Sequence, residues 1–294
     1  MMKIKLLVLL VLSVFALSAC VTEETISEDM LPVEEDLMDD IPEMQNNETT
    51  DHMSVIGQTN QFLSIVGSDK SISVIEETVQ YYEDVSGYLV RPDDENSYPG
   101  VIMIHEWWGL NEHVKEVAKT LAMEGYVVLA VDLYNGEVAQ NSSQAMTLRR
   151  AIVQDEANTN MKAGISYLNS INVEKVASMG FCFGGEQSAQ LSISDANLDA
   201  TIIYYGSLPQ ELENISQVDA PVLGIFGELD TGITPETVRV FEAGLVESGL
   251  EHDITIYGGV GHAFINPEGS RFAENETKDA WDKTIAFLDT NLKQ

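Results

Sequence analysis

From Val101 onward the hydrophobic pattern switches repeatedly between two periods. Continuous apolar or half-apolar runs at Val101 to Ile104, Tyr126 to Val131, Val173 to Met179, Ala200 to Tyr205, Val222 to Phe226 and His252 to Tyr257 read as strands. Between them lie stretches at helical spacing. These are His113 to Met123 (Val114, Val117, Ala118, Leu121), about Ser143 to Asn169, Gly185 to Ile193, Pro235 to Ser248, and Asn275 to Leu292 (Trp281, Ile285, Leu288). Runs that are apolar on both faces belong inside a sheet. Their alternation with helices predicts an α/β fold, a mostly parallel central sheet with helices on both faces. Thr78 to Pro92 alternates instead and reads as a strand or hairpin pair broken at Gly87. The stretch 78–294 is long enough for one substantial core in a single domain.

At the end of the Val173 to Met179 run stands Gly180-Phe181-Cys182-Phe183-Gly184, a thiol at the centre of a Gly-x-nucleophile-x-Gly pattern. Its glycines permit the sharp strand-to-helix turn that lifts a nucleophile above a sheet. The small residues Ser188 and Ala189 then let the following helix pack closely. A buried structural thiol is the ordinary reading of a lone Cys. Here glycines on both sides and ordered partners downstream favour a nucleophile, because Asp230 and then His262 follow in the chain order of an α/β-hydrolase.

Asp230 ends Phe226-Gly227-Glu228-Leu229-Asp230, just after a strand. A carboxylate there can orient an imidazole and stabilise its charged form. Glu228 is the rival acid, and Thr231-Gly232 also suits a plain turn. His262 lies in the glycine-rich loop Gly258 to Phe264, after the last strand and before the final helix, which allows it to reach across the strand ends. Beside Cys182 it can share a thiolate–imidazolium pair and supply the leaving group's proton. His52, His113 and His252 read as ordinary tether, helix and strand-edge histidines.

Glu106 and Trp107 close the first central strand, in His105-Glu106-Trp107-Trp108-Gly109. The oxyanion of an acyl-transfer intermediate is expected to be held by the backbone N–H groups of Phe183 and Trp107. Glu106 is either a loop carboxylate or a group that keeps the resting thiol protonated and protected from oxidation. Trp108, Tyr134, Phe181 and Tyr205 are candidates for an apolar substrate pocket, and each fits a core position equally well. Every candidate catalytic residue falls at the carboxyl end of a strand, where ligands bind in such sheets.

The N-terminus is a separate matter. Lys3 and Lys5 precede an apolar run from Leu6 to Leu12, which is too short to span a bilayer. It continues more loosely to Ala19 and closes on Leu17-Ser18-Ala19-Cys20, which resembles the lipobox of exported prokaryotic lipoproteins, with Cys20 as the lipidated residue; an ordinary secretory signal is the alternative. Residues 1–19 are thus expected to be a lipoprotein signal peptide and 20–57 an acidic disordered tether. Residues 58–77 form an extension with β-prone pieces at Phe62 to Val66 and Ile72 to Ile75, and 78–294 form the domain. The protein is expected to be exported and lipid-anchored at the outer face of a prokaryotic cell membrane. The chain has two cysteines, so lipidation of Cys20 leaves Cys182 without a disulfide partner.

The net charge is −33. From Val21 to Glu77 there are 15 Asp or Glu against one Lys, and from Thr78 on there are 33 acidic residues against 12 basic ones. Acidity of both parts argues against nucleic acid and against adsorption to anionic lipid.

The pieces His105 to Gly109, Asp132-Leu133-Tyr134, Gly180 to Gly185, Tyr204-Tyr205-Gly206, Gly227 to Asp230 and Gly261-His262-Ala263-Phe264 occur in order. Together they resemble the dienelactone hydrolase (carboxymethylenebutenolidase) family of the α/β-hydrolase fold, over roughly Val79 to Leu292. The resemblance implies a Cys182–His262–Asp230 triad, a resting pairing of Glu106 with the thiol, and no cofactor or metal. Enzymes of this family that open dienelactones carry an arginine shortly after the histidine; that position is Asn266 here, which points to a different substrate. The expected function is a membrane-tethered hydrolase of a small ester, lactone or thioester, working as a monomer through an acyl-enzyme. The alternative is a non-catalytic, surface-tethered domain that binds a ligand or protein in the same cleft.

Overall fold

A computed structural model of the protein describes residues 61–67 and 72–293. The expected signal peptide, the lipidation site Cys20 and the acidic tether all lie outside the described residues. A short helix α1 (Gln61–Val66) comes first, followed by an antiparallel pair, β1 (Val74–Tyr82) and β2 (Val85–Pro92). Strand–helix alternation then runs through β3 (Gly100–Ile104), α2 (Glu112–Met123) and β4 (Val127–Val131) to α3 (Ser142–Arg150) and α4 (Gln154–Ser170). It continues with β5 (Val176–Phe181), α5 (Phe183–Ser192), β6 (Ala200–Tyr204), α6 (Leu212–Ile215) and β7 (Val222–Gly227). The last elements are α7 (Pro235–Ser248), β8 (His252–Tyr257) and α8 (Glu274–Leu292).

The strands form one eight-stranded sheet in the order β1-β2-β4-β3-β5-β6-β7-β8. Strands β3 to β8 are parallel, and β2 joins β4 antiparallel. This is the α/β-hydrolase architecture. Strands β3 to β7 are buried along their whole length, as continuous apolar runs require. Alternate residues face opposite layers. Val101 and Met103 belong to the apolar cluster that holds Val114, Leu121 and Leu288 of α2 and α8, while Ile102 and Ile104 belong to the one that holds Met161, Ile165 and Leu168 of α4.

Three local expectations come out differently. The first hairpin turns at Glu83–Asp84, between paired Tyr82 and Val85, with Glu83 at φ 44°. Gly87 lies inside β2 opposite Val79, where a side chain would meet the Ala130 carbonyl. The long helix expected over 143–169 is two helices, separated where Val153 adopts extended backbone. Phe62 to Val66 is helical rather than extended, because Phe62 docks edge-on against Trp281 of α8 at 5.2 Å and His113 of α2 at 6.4 Å.

Candidate active site

Cys182 is the single residue between β5 and α5. Its backbone sits at φ 53° and ψ −115°, a conformation that costs a non-glycine residue on the order of 1–3 kcal/mol and persists only where surroundings enforce it. They do so here. The Cys182 N–H donates to the Tyr204 carbonyl of the neighbouring strand at 3.0 Å, and its own carbonyl accepts from Glu186 N–H at 3.0 Å. A side chain at Gly180 would run into Gly184, and one at Gly184 into the Ile104 carbonyl, so only glycine lets α5 descend this close to β3 and β5. The first turn of α5 leaves the N–H groups of Phe183, Gly184 and Gly185 without intrahelical acceptors. Cys182 is therefore partly exposed at the positive end of a helix.

Asp230 and His262 converge on it from the loops after β7 and β8. His262 Nδ1 is 2.7 Å from Asp230 Oδ2. The other carboxylate oxygen, Oδ1, accepts from the N–H groups of Gly232 and Ile233, both at 3.0 Å. Asp230 is buried, so these bonds fix its plane. Burial acts against a charge on His262, but the Cys182 sulfur and the Asp230 carboxylate more than offset it and raise the imidazole pKa to about 10. The rival acid Glu228 is used elsewhere: its Oε2 accepts from Gly259 N–H at 3.0 Å and steadies the histidine loop.

Glu106 is also buried. Burial raises its carboxyl to about 7, with the charge of His262 acting in the opposite direction. Among the described residues no hydrogen bond joins this carboxyl to Cys182; its electrostatic partner is His262. Glu106 starts a tight turn closed by Gly109 N–H on its carbonyl at 3.1 Å, which leaves the Trp107 N–H outside that bond.

The aromatic candidates divide into two walls. Phe181 and Tyr205 belong to the core against which Cys182 packs, with Phe181 4.9 Å from Tyr204 and Tyr205 5.0 Å from His262. Trp107, Tyr134 and Phe183 form a second cluster, with half-buried Trp108 at its margin 4.9 Å from Trp107. A depression of about 370 Å³ adjoins the histidine loop, lined by Leu229 and residues 259–261 and 270–273. Its lining includes none of Cys182, Asp230, His262 and Glu106.

His105 was not singled out in the sequence, yet it organises the loop. It is fully buried, its Nε2 accepts from Leu133 N–H at 3.1 Å, and its Nδ1 therefore donates to the Glu106 carbonyl at 2.6 Å. Burial lowers its pKa, in keeping with a neutral ring. Asp132 continues the brace by accepting from the N–H groups of Tyr134 at 2.8 Å and Gly136 at 2.5 Å. Both residues lie in motifs already noted, and a polar residue directly after a buried apolar strand was the available signal.

The model of the dienelactone hydrolase family matches residues 85–292. A protein of Saccharolobus solfataricus named "Putative carboxymethylenebutenolidase" is 28% identical over 256 residues, covering 73% of this chain and 98% of that one. Protein usf of Aquifex pyrophilus is 32% identical over 220 residues, covering 69% and 92%. Among solved structures, a dienelactone hydrolase-like promiscuous phosphotriesterase from metagenomic libraries superposes with a TM-score of 0.67 at 22% identity, over 75% of this chain and 99% of that one.

Proposed function

The chain belongs to the dienelactone hydrolase family and is a hydrolase of ester type, and from that premise we propose that Cys182 is its nucleophile, acting on small esters, lactones or thioesters. The observation that carries this reading is the 2.7 Å contact of His262 Nδ1 with Asp230, on an imidazole whose pKa Cys182, at the strained turn, also raises.

In the proposed reaction the Cys182 thiolate attacks the carbonyl carbon, and the carbonyl π pair moves to oxygen. That oxyanion is held by the N–H groups of Phe183 and Trp107. Collapse breaks the bond to the leaving group, which takes the His262 proton. Water then attacks the thioester and gives a proton to His262, and the C–S bond breaks to return the thiolate and release the acid. Asp230 keeps the ring oriented throughout. Glu106 is neutral below its pKa of about 7; above it, the added negative charge favours keeping a proton on His262 and opposes a second anion at Cys182. The expected lipid at Cys20 places this chemistry at the outer face of a membrane, on an acidic tether.

Cys182→Ala should reduce hydrolysis of p-nitrophenyl acetate to the uncatalysed rate while leaving the far-UV and near-UV circular dichroism unchanged. Full ester hydrolysis by a folded Cys182→Ala protein would sink the reading.

A further inference from the structure

One hydroxyl close to the nucleophile has no hydrogen-bond partner among the described residues. Tyr134 is 6% exposed, and among the described residues its Oη has no hydrogen-bond partner. Leaving a buried donor unmade is costly, so a folded chain retains one where a partner arrives from outside. The ring cannot swing away to find one. It meets His105 edge-on at 4.7 Å and stacks on Phe183 at 5.8 Å, and its own backbone N–H is held by Asp132.

The placement also selects which part of a substrate comes near. Tyr134 packs with Phe183 and Trp107, the residues whose N–H groups hold the acyl oxygen in the proposed reaction. His262, which serves the leaving group, sits against a different aromatic, Tyr205. The phenol also feels the charges of Arg149, Cys182 and Glu186, which places it within electrostatic reach of the reacting sulfur. Burial raises its pKa, so it is a donor at every working pH. The remaining wall, with Ala139 and Ala145, is apolar.

We propose that Tyr134 Oη donates a hydrogen bond to an ether, hydroxyl or carbonyl oxygen in the acyl portion of the substrate, close to the scissile carbonyl. This rests on the hydrolytic reading above and deepens it: Tyr134 is a specificity-determining residue for oxygenated acyl groups. An all-carbon acyl chain of the same shape would cover the hydroxyl and leave it unmade, which is how a polar point in an apolar pocket rejects an analogue.

The test uses two isosteric pairs of p-nitrophenyl esters, methoxyacetate against butyrate and 3-methoxypropanoate against pentanoate, with wild-type protein and Tyr134→Phe. Intrinsic reactivity cancels when the ether-to-alkyl ratio of kcat/KM is compared between the two proteins. We expect that ratio to fall about tenfold in Tyr134→Phe for at least one pair. The Tm of Tyr134→Phe should be no lower than wild type, since no protein hydrogen bond is removed. An unchanged ratio in both pairs, or an equal fall on ether and alkyl esters, overturns the proposal. If wild type turns over none of the esters, the hydrolytic reading fails by itself, and the hydroxyl is read by binding. Saturation-transfer NMR would then compare methoxyacetone with pentan-2-one and 4-methoxybutan-2-one with hexan-2-one. A preference for either ether that Tyr134→Phe loses supports the proposal, and no preference overturns it.

Discussion

Glu106 and His262 are both shifted upward, but burial plays opposite parts in the two. For Glu106 burial is the cause, because it penalises the carboxylate. For His262 burial opposes the shift, and the coulombic and hydrogen-bonding pull of Cys182 and Asp230 wins. The Glu106 shift has a consequence for stability. Its folded pKa of about 7 exceeds the ordinary 4.5, so the folded state binds the proton more tightly than the unfolded chain. That contribution is complete below about 4.5 and is lost as pH rises to about 7, an effect on the order of 3 kcal/mol. Thermal melts of wild type and Glu106→Gln across this window should show wild type losing stability relative to the variant as pH rises. A constant difference between the two would show that Glu106 ionises normally. At this scale the sequence was a good guide where glycines or strand ends framed a residue, as at Cys182, Asp230 and His262. It favoured Asp230 over Glu228 from its place further into the loop, but not the use of Glu228, whose carboxylate accepts from Gly259 while Asp230 meets the imidazole.

At the scale of elements, α1 is the least expected piece and the most testable. Phe62 is 1% exposed between α2 and α8, and the Gln61 and Phe62 N–H groups are received by the Glu116 carboxylate. Its neighbour His113 is held neutral by burial, which lowers its pKa to about 4. Phe62→Ala should release α1 alone. Hydrogen exchange at residues 63–66 should rise to the rate of open chain, while amides of α4 keep their protection. Retained protection at 63–66 would mean that the helix needs no aromatic anchor. This helix was illegible because Phe62 to Val66 has β-prone composition, and only the distant Trp281 and His113 make it a helix. The α3–α4 break was hidden for a related reason. No Gly or Pro marks 151–153, and the chain turns there so that Ile152 can pack against two separate apolar clusters. The parallel strands β3 to β7 were plain, since burial on both faces leaves an apolar run that tertiary context cannot disguise.

For the whole molecule, charge is the dominant variable. From Thr78 on, 33 acidic residues against 12 basic ones mean strong self-repulsion in the folded domain. Raising ionic strength from about 0.01 M to about 1 M shortens the screening length from about 30 Å to about 3 Å. We expect Tm to climb steadily over that range in sodium chloride. A flat or falling Tm would show that the pairs Arg149–Glu186 and Lys278–Glu274 outweigh the repulsion.

The order of the sheet also decides how the protein answers a mechanical load. A force entering from the N-terminal side meets α1 first, and then β1, an edge strand paired, among the described residues, with β2 alone. Its bonds can be peeled one after another rather than sheared together. Cys182, Asp230 and His262 follow β5, β7 and β8, on the far side of β2, β4 and β3. Tension on the leading end is therefore expected to open β1 before it reaches the strands that carry Cys182, Asp230 and His262, so that the edge strand would serve as a fuse for the sheet behind it.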